Sequence, residues 1–197
     1  MLVIAVETVP DGHVRWAGRR HDDDRPDASS GASPSELFDA VFHALHDGEQ
    51  VPLGFDCALT IPVPPDQDPG AAAGAAPAES AASRPGLAEL GYLLGELGNW
   101  RPWTTVSTSL ARWKANTSIL VWQAVPVPGA NAVTASAAAD SFFRELPAAS
   151  RAAEPGGQAE PAGTVVNLAA AAARRAGLFV DPSELAQPTV SITVTDG

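Results

Sequence analysis

Cysteine and basic residues are scarce in this chain. Cys57 is the only cysteine among 197 residues, and twelve Lys and Arg face 23 Asp and Glu, which gives a formal net charge of −11. A single thiol excludes an intramolecular disulfide framework and any metal site built from several cysteines. The acidic balance argues against the broad basic surface that long nucleic acids or anionic membranes require.

Long apolar runs are also missing. The N-terminal run, residues 2–6, is five residues long and has no basic segment before it. A membrane span needs roughly 18 apolar residues, and a secretory signal needs a basic segment followed by a longer apolar one. We therefore expect a cytoplasmic protein with no membrane partner.

Three common enzyme motifs do not occur in the sequence. It contains no Gly-x-Gly-x-x-Gly, no phosphate loop ending in Gly-Lys-Ser/Thr and no Gly-x-Ser-x-Gly. The sequence therefore lacks the motifs that usually indicate dinucleotide-dependent enzymes, P-loop NTPases and ordinary α/β-hydrolases.

The chain does contain a regular succession of apolar patterns. Its length fits a single domain over residues 1–197. Stretches rich in Pro, Ala and Gly at about 62–85 and 147–163 predict mobile loops, because they bury too little apolar area to offset the entropy of ordering. Apolar runs and alternations predict strands, and apolar stripes predict helices. The predicted strands are 2–6, 13–20, 51–57, 118–125 and 190–194, and the predicted helices are 33–48, 86–97, 134–146 and 164–176.

The first of these helices has the clearest boundaries. Ser33 and Glu36 form a capping box around Pro34, and Gly48 is placed to end the helix. An apolar stripe follows the cap. Its members are Leu37, Phe38, Val41, Phe42 and Leu45. The element order β-β-α-β-α-β-α-α-β predicts an α/β fold with a mixed, mainly parallel central sheet and flanking helices.

Two carboxylates end otherwise apolar strands. Glu7 follows the run 2–6, and Asp56 comes near the end of 51–57. If a helix crosses between these strands, they run parallel and their carboxyl ends meet at one edge of the sheet, where open α/β sheets bind ligands. The two acids then share a hard divalent cation, or they only cap strand ends and bond loop amides. The spacing alone leaves both readings open.

The hairpin, the helix and the strand that ends in Asp56 resemble the ribonuclease H-like superfamily. Residues 53–62, LGFDCALTIP, are similar to the corresponding strand of its small predicted-nuclease branch. The resemblance implies a site formed by Glu7, Asp56 and Asp140, the last on the helix after the final core strand. The chain departs from the pattern where Glu7 replaces an aspartate, where Gln123 occupies a position suited to a further carboxylate, and where a third hairpin strand is not evident.

The function implied by this resemblance is a metal-dependent nuclease or phosphodiesterase. Mg²⁺ or Mn²⁺ would bind to the three acids, and the acidic net charge favours a short or structured nucleic acid, or another phosphodiester, as substrate. The alternative is a catalytically inactive ribonuclease H-like protein that acts in binding or assembly.

Two further features concern partners. Indoles and bases cluster near one another in the second half of the chain, where they either contact a substrate or close the core. The candidate substrate contacts are Arg101, Trp103, Arg112 and Lys114. The strand 190–194 is suited to pair with a second copy if it lies at an exposed edge, which would form a homodimer. The alanine stretch 168–173 permits close helix packing either within the domain or across a dimer interface, and the sequence does not separate these.

Overall fold

The protein is described from a computed structural model. The residues that the structure describes are 1–9, 14–20, 29–63, 100–102, 119–129, 132–152, 165–175 and 177–195. The strands are β1 (Leu2–Thr8), β2 (Val14–Arg20), β3 (Ser29–Gly31), β4 (Val51–Phe55), β5 (Thr60–Pro62), β6 (Trp100–Pro102), β7 (Ile119–Pro126), β8 (Val165–Asn167) and β9 (Ser191–Val194). The helices are α1 (Pro34–His46), α2 (Ala135–Ala152), α3 (Leu168–Arg175) and α4 (Pro182–Leu185).

A seven-stranded sheet organises the described residues. Its order is β3-β2-β1-β4-β7-β6, and β9 also pairs with β7. The strand β2 runs antiparallel to both β1 and β3, whereas the other pairings in this sheet are parallel. A second, two-stranded sheet joins β5 to β8 in antiparallel register.

The predicted α/β class with a mixed sheet is confirmed. The expectation of a mainly parallel sheet is corrected, because β1, β2 and β3 form an antiparallel meander at one side. The sequence segments between these strands, residues 9–13 and 21–28, are shorter than the roughly dozen residues that a parallel crossover needs. The strands that these segments join therefore pair in antiparallel orientation.

Both faces of the sheet are buried at its central strands β1, β4 and β7, as the continuous apolar run of β1 predicts. Alternate residues of an extended strand point to opposite faces, so Ile4 and Val6 join the core under α1 and α3, while Val3 and Ala5 join the core under α2. The strand β4 is buried along its whole length. A sheet covered on both faces leaves the ends of its strands as the places where polar groups meet solvent.

The helix α1 begins at the predicted cap. The Ser33 hydroxyl accepts a hydrogen bond from Glu36 N at 3.3 Å, and the Glu36 carboxylate accepts one from Ala32 N at 3.0 Å. The helix ends before Gly48, whose φ of +75° suits a residue without a side chain. The predicted apolar stripe needs one correction, because Phe42 is 48% exposed.

Two other predicted segments differ from the structure. The predicted helix 164–176 begins as the strand β8, and only Leu168–Arg175 is helical. The helix predicted at 134–146 continues to Ala152. The predicted helix 86–97 and most of the two predicted loops lie outside the described residues.

Gly54 is placed under the largest buried side chain of the sheet. It lies opposite Trp122 in the pairing of β4 with β7, and a Cβ on residue 54 would collide with the six-membered ring of that indole. Trp122 is fully buried and its ring centroid lies 5.1 Å from that of Phe142 on α2. The absence of a side chain at residue 54 thus allows the indole to lie flat against β4.

We predict that Gly54→Ala destabilises the protein by about 1–3 kcal/mol, the usual cost of overpacking a core. The measurement is equilibrium unfolding in urea. In a Trp122→Phe background the same substitution should cost less, because the smaller ring makes room for the methyl group. A Gly54→Ala protein as stable as the wild type would contradict this packing.

Glu49 lies in the segment between α1 and β4. Its carboxylate connects this segment to Met1, which precedes β1, and to Arg20 on β2. Its carboxylate lies 2.9 Å from Arg20 Nη2 and 3.2 Å from the Met1 ammonium. Partial burial acts to raise the pKa of Glu49, but the Arg20 guanidinium and the Met1 ammonium outweigh it and hold that pKa below its usual 4.5.

This lowered pKa predicts a pH-dependent contribution to stability. Because the folded-state pKa of Glu49 lies below the unfolded one, the stabilisation is present above the unfolded value and disappears as the pH falls through the folded value. Glu49→Gln should therefore lower the free energy of unfolding near neutral pH by about 1 kcal/mol or less, and with it Tm. The difference in Tm between the two proteins should vanish in acid. Melting curves from neutral to acidic pH measure this, with Asp39→Asn as a control for net charge. A difference that persists in acid would refute the assignment.

Candidate functional site

The pairing of β1 with β4 brings Glu7 and Asp56 side by side. The two strands are parallel, with Ala5 opposite Gly54 and Val6 opposite Phe55. One step further along each strand come Glu7 and Asp56, and Asp56 N donates a hydrogen bond to Val6 O at 3.1 Å. Neighbouring strands lie about 4.8 Å apart, so the two acids occupy adjacent positions at the carboxyl edge of the sheet.

Glu7 has a cationic neighbour on the other side. Arg15 lies opposite it in the antiparallel pairing with β2, and its Nη1 is 3.8 Å from Glu7 Oε1. The Glu7 side chain is 22% exposed, whereas that of Arg15 is 66% exposed. At this distance and exposure the ion pair is weak, roughly 0–1 kcal/mol, so it leaves Glu7 accessible to another cation.

Asp140 lies apart from this pair. Its carboxylate accepts a hydrogen bond from Arg19 Nε at 3.1 Å, and Arg19 also donates to Ser136 on the same helix. Arg19 lies opposite Val3, four positions before Glu7 on β1, which corresponds to about 13 Å along the strand. The structure thus brings Glu7 and Asp56 together and places Asp140 toward the opposite end of β1.

Two of the three predicted cation ligands lie at adjacent positions, Glu7 and Asp56. Among the residues described, no group of three or more His, Cys, Asp and Glu side chains is arranged to hold a metal ion. Mg²⁺, however, is commonly bound through one or two carboxylates, with waters and substrate phosphates completing its coordination. Glu7 and Asp56 are two carboxylates at one sheet edge, and Glu7 and Asp140 are each paired with an arginine.

Gln123 has a role that sequence reasoning missed. Its side chain is buried, its Oε1 accepts a hydrogen bond from Leu59 N at 2.8 Å, and its Nε2 donates to Ser191 Oγ. Its backbone N also donates to Val190 O at 3.0 Å. The sequence carries a signal for this role, since Gln123 is the one polar residue within the apolar run of β7.

The turn that carries Asp56 is fastened at both ends. At its start Asp56 N is bonded to Val6 O, and at its end Leu59 N is bonded to Gln123 Oε1. Leu59 itself is fully buried, and its carbonyl accepts a hydrogen bond from Leu168 N at 2.7 Å. These bonds connect the position of Asp56 to β1, to β7 and to the start of α3.

Most of the predicted substrate contacts lie outside the described residues. Arg101 lies on β6, next to the first half of β7. Trp103, Arg112 and Lys114 lie outside the described residues. Within the part of the chain that is described, no helix has both the length and the apolar character needed to cross a bilayer.

Comparisons of the chain with protein-family models, with curated proteins and with solved structures find no match. We therefore infer a function from the geometry of the described residues.

Proposed function

We propose that this chain is a Mg²⁺- or Mn²⁺-dependent phosphodiester hydrolase of ribonuclease H-like fold, with Glu7 and Asp56 as the cation ligands. The observation that carries the proposal is the parallel register of β1 and β4, which places these two acids at adjacent positions on one sheet edge. Carboxylate pairs at such an edge are suited to hard cations.

The strand arrangement supports the choice of fold. The meander β1-β2-β3 is followed by α1 and then by β4, which returns parallel to β1, with β7 parallel beyond it. The short strand β3 supplies the third hairpin strand that is not evident in the sequence. This order agrees with the resemblance of the sequence to the ribonuclease H-like superfamily.

The residues around the pair have separate tasks in this proposal. When bound, a divalent ion supplies activation of water and neutralises charge on the leaving oxygen. Glu7 and Asp56 hold it, and the exposed guanidinium of Arg15, beside Glu7, contacts a phosphate oxygen of the substrate. With a net charge of −11, a short or structured nucleic acid is a better substrate than a long duplex. Arg101, Trp103, Arg112 and Lys114 remain candidate contacts to it.

A second candidate is a catalytically inactive protein of the same fold that binds or assembles. One ion pair favours it, because Arg19 engages Asp140, one of the three acids predicted to bind the cation. Two large apolar side chains are also exposed, Phe42 by 48% and Phe179 by 89%. A homodimer and a cytoplasmic location belong to this second proposal as well as to the first.

Thermal unfolding with and without Mn²⁺ tests the cation site. One native-state site at about a hundred times its Kd adds roughly 2.7 kcal/mol, which corresponds to a rise of about 5–11 °C for a chain of this size. We expect this rise in wild type and its loss in Asp56→Asn and Glu7→Gln. Asp140→Asn is the matched control, since it removes a carboxylate bonded to Arg19 and should leave the metal-dependent rise unchanged.

Hydrolysis of bis(p-nitrophenyl) phosphate by the same four proteins then separates the two candidates. The hydrolase requires Mn²⁺-dependent turnover in wild type and Asp140→Asn, with none in Asp56→Asn. Absence of both turnover and a metal-dependent shift in wild type would favour the binding protein. An Asp56→Asn protein that hydrolyses like the wild type would show that the site lies elsewhere.

A further inference from the structure

We propose that Gln123 is the positioning residue of the cation site, holding Asp56 beside Glu7 through the turn that ends at Leu59. This inference rests on the proposed function and adds a residue that touches neither cation nor substrate. It accounts for a buried amide within an otherwise apolar strand.

The turn between Asp56 and Leu59 is short. Asp56 and Leu59 are three positions apart, and each donates its backbone N–H to a neighbouring strand, the first to Val6 O at 3.1 Å and the second to Gln123 Oε1 at 2.8 Å. Because few rotatable backbone bonds lie between the two fixed amides, the segment between them has few accessible conformations. Release of either end therefore changes where the Asp56 carboxylate lies.

The orientation of the Gln123 amide is fixed by hydrogen bonds on both sides. An amide presents an acceptor on one side and donors on the other, and here Oε1 is used by Leu59 N and Nε2 by Ser191 Oγ. The side chain is 8% exposed, so water competes weakly for these bonds and they are stronger than at the surface. With both sides of the amide bonded, Gln123 presents a fixed acceptor to Leu59.

This fixed acceptor is connected to cation binding through Asp56. Mg²⁺ demands near-ideal octahedral geometry, so its affinity depends on how closely its carboxylates are held. Groups that orient metal ligands without touching the metal typically change metal affinity or activity roughly 10–100-fold when mutated. Gln123 stands in this relation to Asp56, because it fixes the far end of the turn that Asp56 begins.

The test is the Kd for Mn²⁺, measured by isothermal titration calorimetry on the folded full chain. Gln123→Leu keeps the volume but removes the acceptor, and we expect it to weaken Mn²⁺ binding roughly 10–100-fold. Gln123→Glu keeps an acceptor for Leu59 N and a second oxygen for the Ser191 hydroxyl, and it should bind at least as tightly as the wild type. The backbone amide of Leu59 should exchange its hydrogen faster in Gln123→Leu alone.

Thr60→Val is the matched control. Thr60 Oγ1 accepts a hydrogen bond from Thr189 N at 2.8 Å, so this substitution also removes a side-chain acceptor from a backbone amide, but not one on the Asp56 turn. We expect it to leave the Kd unchanged. If Gln123→Leu does not fold, Ser191→Ala, which releases only the Nε2 side of the amide, should weaken binding in the same direction.

The outcomes distinguish this inference from the proposal on which it rests. The positioning role alone is overturned if the wild type binds Mn²⁺ and Gln123→Leu binds it equally well. The same holds for Ser191→Ala if that variant replaces Gln123→Leu. Equal weakening by Thr60→Val also overturns it, because the effect would then be a general loosening. A wild type that binds no Mn²⁺ overturns both.

Discussion

The parallel pairing of β1 with β4 is the constraint on which the rest of this structure depends. It places two apolar strands at the centre of the sheet, with Val6 opposite Phe55, and it continues into the hydrogen bond from Asp56 N to Val6 O. A slip of one residue would turn every buried side chain of a strand to the other face. The packing of both cores therefore fixes the register, and the register fixes Glu7 beside Asp56.

Burial on both faces has a consequence for the chemistry. Side chains within β1, β4 and the first half of β7 pack in the two cores. At Gly54 the indole of Trp122 fills the space that a side chain would take. Polar groups consequently gather where these strands end. Glu7 and Asp56 lie at that edge, and Gln123, near the carboxyl end of β7, fastens the turn that follows β4. The candidate site thus adjoins strands that are buried on both faces.

Sequence reasoning predicted the elements whose signals are local. The apolar runs of β1 and β4 and the cap at Ser33 required no knowledge of the rest of the chain. It missed β3 because Ser29–Gly31 carries no apolar residue, and β8 because Val165–Asn167 leads directly into alanines that favour a helix. Which base would meet Asp140 was not predictable, because Arg19 reaches it only once α2 packs on the sheet.

The carboxylate pair could be predicted from the sequence, whereas its support could not. Two acids that end apolar strands are visible in the residue order, but the hydrogen bond between Gln123 and Leu59 joins positions 64 residues apart. The most direct measurement of the central claim is an anomalous difference map from crystals soaked in Mn²⁺. If Glu7 and Asp56 hold the cation, the map shows a peak between their carboxylates and none at Asp140. A peak at Asp140, or a fully soaked crystal with no peak at the pair, would contradict it.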